Sequence, residues 1–178
     1  MTVSAETASL VPAGTWQADP VHSQVDFAVR HLGISTVRGT FAGFSATLVG
    51  GGTPALSGTI RLDSVSTGEV DRDAHLTSPD FFDTARYPEA NFTATFVSPE
   101  RVVGELTLKG VTSEIEFAAA FTTPGSDPYG NERIGIELTG SIDRTDYGVS
   151  FNAPLPGGGL LLGEDVKLLA SLSFVKEA

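Results

Sequence analysis

The chain has 178 residues and no cysteine, and its 22 acidic and 11 basic residues give a formal net charge of −11. This length suits one domain with a single core, and the missing cysteines exclude disulfides, thiolate metal ligands and a cysteine nucleophile. With no cluster of basic residues, so acidic a molecule is repelled by nucleic acid and by anionic membrane surfaces, and neither is an expected partner.

Residues 1–13 are predicted to be a disordered tail, and residues 14–178 to form one folded domain. The tail carries no Lys or Arg and no apolar run long enough for the core of a secretory signal. No stretch of the chain reaches the roughly 18 to 20 apolar residues that a membrane-spanning helix requires. We therefore expect no membrane span and a cytoplasmic location.

Short strands with alternating apolar residues begin right after the tail. Before the turn at residues 50–54, the pattern predicts strands over 15–19, 24–32 and 37–49. Pro20 ends the first of them, and Gly39 and Gly43 predict bulges at which the sheet bends. A returning strand follows the turn.

The period of the apolar residues changes between residues 71 and 84. Ala74, Leu76, Phe81 and Phe82 recur at nearly helical spacing, and acidic residues occupy the first turn. We expect one or two short helices here, lying across one end of the sheet.

From residue 90 to residue 175, strand follows strand with an apolar side chain at every second position. Phe92 and Phe96 begin this alternation and are both predicted to point inward; later strands repeat it around Ile115 and Ile136. Because helices are scarce, a sheet of this size buries its apolar face by curling onto itself. The sequence predicts an all-β fold, an antiparallel barrel of about eight strands with room for side chains or one small ligand.

One motif, Asp71-x-Asp73-x-His75, resembles the start of a metal-binding loop. A calcium loop of that type needs Gly at its sixth position and Glu at its twelfth, where this chain has Leu76 and Phe82. The acidic residues are better explained as the first turn of a helix, where they complement the helix dipole. We predict no metal, no cofactor and no catalytic residues.

A second charged cluster, Asp143, Arg144 and Asp146, predicts a strand end bent into a turn. Arg144 is expected to bind neighbouring carboxylates or to stack on Trp16, plugging one end of the barrel. In the alternative interpretation a ligand head group is contacted by Arg144, Arg30, His31 or Arg38.

Five separated blocks of the sequence closely resemble the YceI-like polyisoprenoid-binding proteins, in the same order. They are GTWQADPVHSQVDFAVRHLGISTVRGTF, DRDAHLTSPDFFDTARYPEANFTATF, GELTLKGVTSEIEF, GSIDRTDYG and GEDVKLLASLSF, and the resemblance covers roughly residues 14–176. The resemblance implies an extended lipocalin-like β-barrel over 14–178, with the predicted helical segment at one mouth. It also implies that the apolar interior holds a long isoprenoid, such as a polyprenyl compound or the tail of a quinone.

The side chains expected inside the barrel offer an apolar surface and no reactive group. Such a surface gains about 0.8 kcal/mol for each CH₂ group taken from water. The predicted ligand-binding residues are Phe27, Val29, Phe41, Ile60, Leu62, Leu76, Phe81, Phe82, Phe92, Phe96, Leu106, Ile115, Phe117, Ile136, Leu138, Leu172 and Phe174. For each of them the alternative is that the side chain simply fills the barrel.

The leading functional hypothesis is a non-enzymatic protein that binds, sequesters or transports an isoprenoid lipid or a similar long-chain amphiphile. One alternative is an enzyme that acts on a bound lipid through Asp73, His75 or His31. Another is a structural barrel that self-associates, as a homodimer, through the glycine- and leucine-rich segment 157–162. That segment lies in a predicted loop over 152–164, and a second loop is predicted over 123–131.

Overall fold

The computed structural model describes residues 10–178. In that part of the chain lie twelve strands, the α-helix Val70–Thr77 and two short 3-10 turns. The strands are β1 Gly14–Ala18, β2 Gln24–His31, β3 Ser35–Phe41, β4 Phe44–Gly50, β5 Ala55–Arg61, β6 Val65–Ser66, β7 Glu89–Val97, β8 Arg101–Leu108, β9 Val111–Phe121, β10 Gly125–Ser126, β11 Glu132–Asp143 and β12 Leu162–Lys176. The helix α1 is Val70–Thr77, and the 3-10 turns are Leu62–Ser64 and Arg144–Tyr147.

The strands close into one antiparallel barrel. Around the barrel the order is β11, β9, β8, β7, β5, β4, β1 and β12, and β12 pairs back onto β11 from Arg133 to Asp143. The predicted all-β barrel of about eight strands is confirmed. No helix in the described part of the chain is both long enough and apolar enough to cross a membrane.

Two of the eight strand positions in the barrel are each occupied by two consecutive strands with a bend between them. β1 and β2 follow each other across Pro20 and pair with successive stretches of β12. β3 and β4 follow each other in the same way, β4 pairing with β1 and β3 with β2. The single strand predicted over 37–49 is therefore two strands, and the bend between them falls at Gly43, where a bulge was predicted.

The other predicted bulge, at Gly39, is wrong. β3 runs through Gly39 in unbroken register with Phe27 of β2. A Cβ at Gly39 would overlap the Phe27 ring, so glycine is needed there because the ring lies over the backbone. The same arrangement recurs where Phe92 lies against Gly104 and Phe117 against Gly140.

A bulge in β7 turns one predicted interior residue outward. The register between β7 and β8 shifts just before Phe96, which pairs with Val103, while Val97 pairs with Val102. Val102 is fully buried, so its partner Val97 is on the inner face of β7. Phe96 is on the outer face, where the guanidinium of the exposed Arg101 lies 5.6 Å from the centre of its ring. The inward orientation predicted for Phe96 is wrong, because a slip of one residue exchanges the two faces of a strand.

The helix α1 covers only the first half of the segment predicted to be helical. The Glu69 carboxylate caps it by accepting a hydrogen bond from the N–H of Asp71, and the helix ends at Thr77, two residues before Pro79. Turns follow, in which Phe81 is buried and Phe82 is partly buried. The helix packs against β6.

The end of the barrel at which β11 begins is solidly packed. Trp16, Leu48, Ile134, Ile136 and Phe174 are all fully buried at this end. We call it the packed end. The opposite end, where β11 ends and α1 lies, is the helix end.

The packing extends into the predicted disordered tail. Residues 1–9 lie outside the described residues, but Val11 is fully buried. Its carbonyl accepts a hydrogen bond from the N–H of Gly51 at 3.2 Å, and the carbonyl of Pro12 accepts one from Nε1 of Trp16 at 3.1 Å. The prediction of disorder is therefore wrong for residues 10–13, whose apolar run is too short to give a periodic signal.

Both predicted loops are shorter than expected. The first contains β10, which pairs with β11. The second holds an isolated bridge between Pro154 and Leu160, and Leu162 already belongs to β12, where it pairs with His31. Leu160 is exposed but Leu162 is partly buried against the core, so the leucine segment offers less free apolar surface than its sequence suggests.

Candidate functional site

Two apolar cavities lie inside the barrel, each with a volume of about 130 Å³. The helix-side cavity lies behind α1, and the central cavity lies between it and the packed end. The two cavities share the lining residues Phe41, Ile60, Ala90, Leu106 and Leu168. They are therefore neighbouring compartments of one interior, separated only by side chains.

Most of the predicted ligand-binding residues line one of these cavities. The helix-side cavity is lined by Phe27, Val29, Phe41, Ile60, Leu62, Leu76, Phe81, Phe82 and Leu106. The central cavity adds Phe92, Phe117, Leu138 and Leu172. These positions follow from the alternation of the strands and from the turn after α1, which brings two phenylalanines over the mouth.

Four predicted residues line neither cavity. Ile136 and Phe174 belong to the packed end, and Ile115 points inward but is buried in the core beside Gly104. Phe96 lies on the outer face. Alternation identifies the inner face of a strand, but it does not show where along the barrel the interior is solid.

Three aromatic rings close the helix end. His75 of α1 packs edge-on against Phe81 at 4.9 Å and against Phe151 at 5.0 Å between ring centres, and the two phenylalanines are 5.3 Å apart. Nε2 of His75 also lies 2.9 Å from the Asp80 carboxylate. His75 is therefore hydrogen-bonded at the mouth of the barrel.

Arg144 is the one charged side chain that lines the helix-side cavity, as far as the described residues show. It follows β11 directly and is 5% exposed. Its Nε donates to the carbonyl of Gly163 at 2.8 Å, and its Nη1 donates to those of Val149 at 2.6 Å and Phe151 at 2.9 Å. Burial lowers the pKa of the guanidinium, since water is removed from its charge.

The predicted environment of Arg144 is wrong in two respects. It binds backbone carbonyls rather than carboxylates, and the cation over the Trp16 ring, at 5.9 Å from its centre, is Lys176. Trp16 belongs to the packed end, which Arg144 does not reach. The predicted turn is confirmed: Arg144 begins a 3-10 turn that ends at Gly148, whose φ of 72° favours glycine.

Sequence reasoning missed several other cavity residues. Ala90, Leu108, Ile142, Val149, Leu162, Val166 and Leu168 also line the helix-side cavity. Most of them continue an apolar alternation that is visible in β7, β8, β11 and β12, so the signal was present. Val149 lies in an irregular segment, where no period applies.

The other predicted head-group contacts lie away from the two cavities. Arg30 is exposed and donates to the carbonyls of Gly33 and Ile34, at the turn after β2. Arg38 is exposed and lines a separate groove of about 470 Å³, together with Asp26 and Lys167. The polar lining of this groove makes it the poorer candidate for an apolar ligand, although it has the larger volume.

The three residues proposed for catalysis have separate structural partners. Asp73 accepts hydrogen bonds from the backbone N–H and the hydroxyl of Thr67, at 2.8 and 2.6 Å. His75 pairs with Asp80, and His31 lies at the end of β2 opposite Leu162. Among the described residues, no hydrogen bond joins Asp73, His75 and His31 into an acid–base pair.

A closed antiparallel barrel with an apolar interior defines the class of lipocalin-like barrels. The sequence model of the YceI-like domain family matches residues 16–174, and this chain belongs to that family. A UPF0312 protein of Staphylococcus aureus (strain MSSA476) is 38% identical over 161 residues, which cover 88% of this chain and 94% of the relative.

Solved structures show the same barrel. BcnA of Burkholderia cenocepacia has a TM-score of 0.76 at 19% identity, covering 88% of this chain and 98% of that one. The YceI protein of Campylobacter jejuni has a TM-score of 0.67 at 28% identity, covering 84% and 90%. A polyisoprenoid-binding domain from Saccharophagus degradans has a TM-score of 0.64 at 16% identity, covering 93% and 100%.

Proposed function

We propose that this protein binds a long-chain isoprenoid or a similar amphiphile inside the barrel, and that it carries or stores this ligand without chemical change. The supporting observation is the pair of adjoining cavities, whose inward side chains are almost all apolar. The structural neighbour from Saccharophagus degradans, which is described as polyisoprenoid-binding, adds support from a protein of the same fold.

The chemistry of the interior favours binding over catalysis. An apolar wall gains about 0.8 kcal/mol per CH₂ group taken from water, without any directional bond. A bilayer offers a lipid nearly the same surroundings, so transfer from membrane to barrel is much weaker than binding from water. Release into a membrane is therefore easy, as a carrier or a reservoir requires.

The size of the cavities limits how a long chain is held. A cavity of about 150 Å³ holds a molecule the size of benzene, and each cavity here is about 130 Å³. A long chain must therefore thread both compartments, with Phe41 and Leu106 moving apart between them. The packed end stops the chain, so we expect an entry at the helix end.

The first test is organic extraction and native mass spectrometry of the purified protein. We expect a long-chain lipid to be released. A protein that carries no lipid and binds neither farnesol nor the apolar dye N-phenyl-1-naphthylamine would contradict the proposal.

A substitution at the join between the cavities sharpens this test. Ala90 is 4% exposed and lines both cavities, so Ala90→Leu fills the passage. Displacing two or three CH₂ groups of ligand weakens farnesol binding by about ten- to fiftyfold. The matched control is Ala120→Leu on the outer, exposed face of β9, which leaves the affinity unchanged. Equal effects of the two substitutions would place the ligand elsewhere.

The homodimer and the cytoplasmic location stay predictions. Leu160 is the exposed member of the leucine segment, with 49% of its surface accessible, and a stable interface needs about 1,000 Å² of buried surface. Light scattering of Leu160→Ser beside the unaltered protein measures whether this segment joins two copies.

A further inference from the structure

Arg144 has donor capacity that the protein does not use. An arginine side chain has five N–H donors, of which two are on each terminal nitrogen. Nε and both positions of Nη1 are taken by backbone carbonyls. Nη2 is buried and has no acceptor among the described residues. An unsatisfied buried donor on a charged group is costly, and such groups are rare in folded proteins.

The charge of Arg144 also lacks a bonded counterion. Asp143 and Glu164 are near enough to favour the charged form, but neither carboxylate forms a salt bridge with it in the described structure. The Asp143 carboxylate instead accepts hydrogen bonds from the N–H and hydroxyl of Thr145, at 2.9 and 2.6 Å. The guanidinium therefore lies at the cavity wall, and in the described structure its hydrogen bonds go to backbone carbonyls and to no carboxylate.

The remainder of the helix-side cavity offers no competing polar side chain. Its other lining residues are aliphatic or phenylalanine, as far as the described part of the chain shows. A ligand in this cavity consequently meets one polar side chain, the guanidinium of Arg144, which is a hydrogen-bond donor with a positive charge.

We propose that Nη2 of Arg144 binds the oxygen of a compact anionic end group, a carboxylate, on the amphiphile that occupies the barrel. The apolar tail then runs from the helix-side cavity towards the central cavity and the packed end. This inference rests on the proposed function, because it assigns the head group and the direction of the same ligand.

The chemistry favours an anion over a neutral end group. Hydrogen bonds from a guanidinium to a carboxylate are shorter and about twice as strong as those between neutral groups. The guanidinium is already desolvated by the fold, so the ligand does not have to displace bulk water from it. A carboxylate is also small enough for a compartment of about 130 Å³ whose other walls are apolar.

The direction of the ligand agrees with the structure around Arg144. The carbonyl of Phe151 accepts from Nη1, while the Phe151 ring packs against His75 and Phe81 at the mouth. The head-group site therefore lies directly beneath the aromatic rings that close the helix end. A ligand that enters tail first through this mouth leaves its end group at Arg144.

The test compares three probes with the same isoprenoid chain and different ends: farnesoic acid, farnesol and farnesene. Their affinities for the full chain are measured by displacement of N-phenyl-1-naphthylamine at pH 7. We expect the acid to bind about tenfold or more tightly than the hydrocarbon, the ratio that one charge-assisted hydrogen bond supplies. The alcohol is expected between them.

Substitutions then assign the preference to Arg144. Arg144→Met is expected to abolish the preference for the acid while the affinity for farnesene changes less than threefold, and Arg144→Lys keeps part of the preference. Arg30→Met is the control, since Arg30 also donates to backbone carbonyls but is exposed.

Each outcome of the comparison is decisive. If acid and hydrocarbon bind the unaltered protein equally well, Arg144 does not hold the head group, although the barrel still binds lipid. If none of the three probes binds, the proposed function itself fails. If Arg144→Met does not fold, the comparison of end groups on the unaltered protein and on Arg144→Lys still tests whether Arg144 binds the head group.

Discussion

The two ends of β11 carry arginines in contrasting surroundings. At the packed end Arg133 binds two carboxylates, Asp19 at 3.0 Å and Asp127 at 2.8 Å. At the helix end Arg144 is more deeply buried, yet it is held by carbonyls and keeps an unused donor. The satisfied arginine stabilises the fold, and the unsatisfied one lies where a ligand can complete its hydrogen bonding.

The packing around the two arginines shows the same contrast. Fully buried side chains fill the packed end, whereas both cavities lie between those side chains and the helix end. Cores are close-packed, so an apolar cavity forfeits contacts that would stabilise the fold. The helix end gives up stability at the place where the proposed ligand would restore it.

The largest expected effect is on stability when a large side chain is removed from the packed end. Phe174 is fully buried, so Phe174→Ala should lower the free energy of unfolding by about 3–5 kcal/mol. Phe82 is partly buried and lines an existing cavity, so Phe82→Ala should cost at most half as much. Urea denaturation measures both, and equal losses would mean that the two ends are equally well packed.

A smaller effect is expected when a methyl group is added at each end. A Cβ at Gly50 would overlap the carbonyl oxygen of Pro12, which is backbone in the packed end; a Cβ at Gly39 would overlap the Phe27 ring, which borders the helix-side cavity. We expect Gly50→Ala to cost about 2–3 kcal/mol and Gly39→Ala about 1 kcal/mol or less, because the ring can move into the cavity.

The same pair of substitutions should also differ in its effect on ligand binding. In Gly39→Ala the displaced Phe27 ring occupies cavity volume, so farnesol should bind more weakly. Gly50→Ala leaves both cavities unchanged and should not alter the affinity of the folded protein. If Gly50→Ala weakens binding and Gly39→Ala does not, the ligand does not occupy the helix-side cavity.

Strand alternation predicted the barrel because it is a local property of the sequence. Phe27, Ile60, Leu106 and Leu138 all point inward as the period of two requires. The inward orientation predicted for Phe96 was wrong because one inserted residue, which the alternation does not reveal, reverses the faces of a strand. The bulge predicted at Gly39 was wrong for a related reason. Its partner Phe27 lies on another strand, and only the register shows that the Phe27 ring occupies the space that a Cβ of residue 39 would fill.

The candidate site was less predictable than the fold. Which inward residues border a cavity depends on how side chains from all the strands fill the interior, and no single strand carries that information. Arg144 was correctly assigned to a turn after a strand, but its partners, Val149, Phe151 and Gly163, are carbonyls. Backbone acceptors leave no trace in the sequence, so its unused donor could be recognised only in three dimensions.

The smallest expected effect concerns the ion pairs of Arg133 and depends on pH. Hydrogen bonds from His22, Arg133 and the N–H of Val21 lower the pKa of Asp19 to about 2. Arg133 is also the main cause of the lowered pKa of Asp127. A carboxyl group whose pKa is lower in the folded state stabilises the fold above its unfolded pKa, near 3.8, and loses that contribution as the pH falls through the folded value.

Replacing Arg133 by methionine removes the cation and so should reduce stability most at neutral pH. The difference in the free energy of unfolding from the unaltered protein should be constant above about pH 5 and should shrink between pH 4 and pH 2, as Asp19 takes up its proton. Urea denaturation across this range, with an NMR titration of the Asp19 carboxyl, measures both quantities. A difference as large at pH 2 as at pH 7 would mean that Arg133 contributes through its packing rather than through its charge, and the contrast with Arg144 would lose its electrostatic basis.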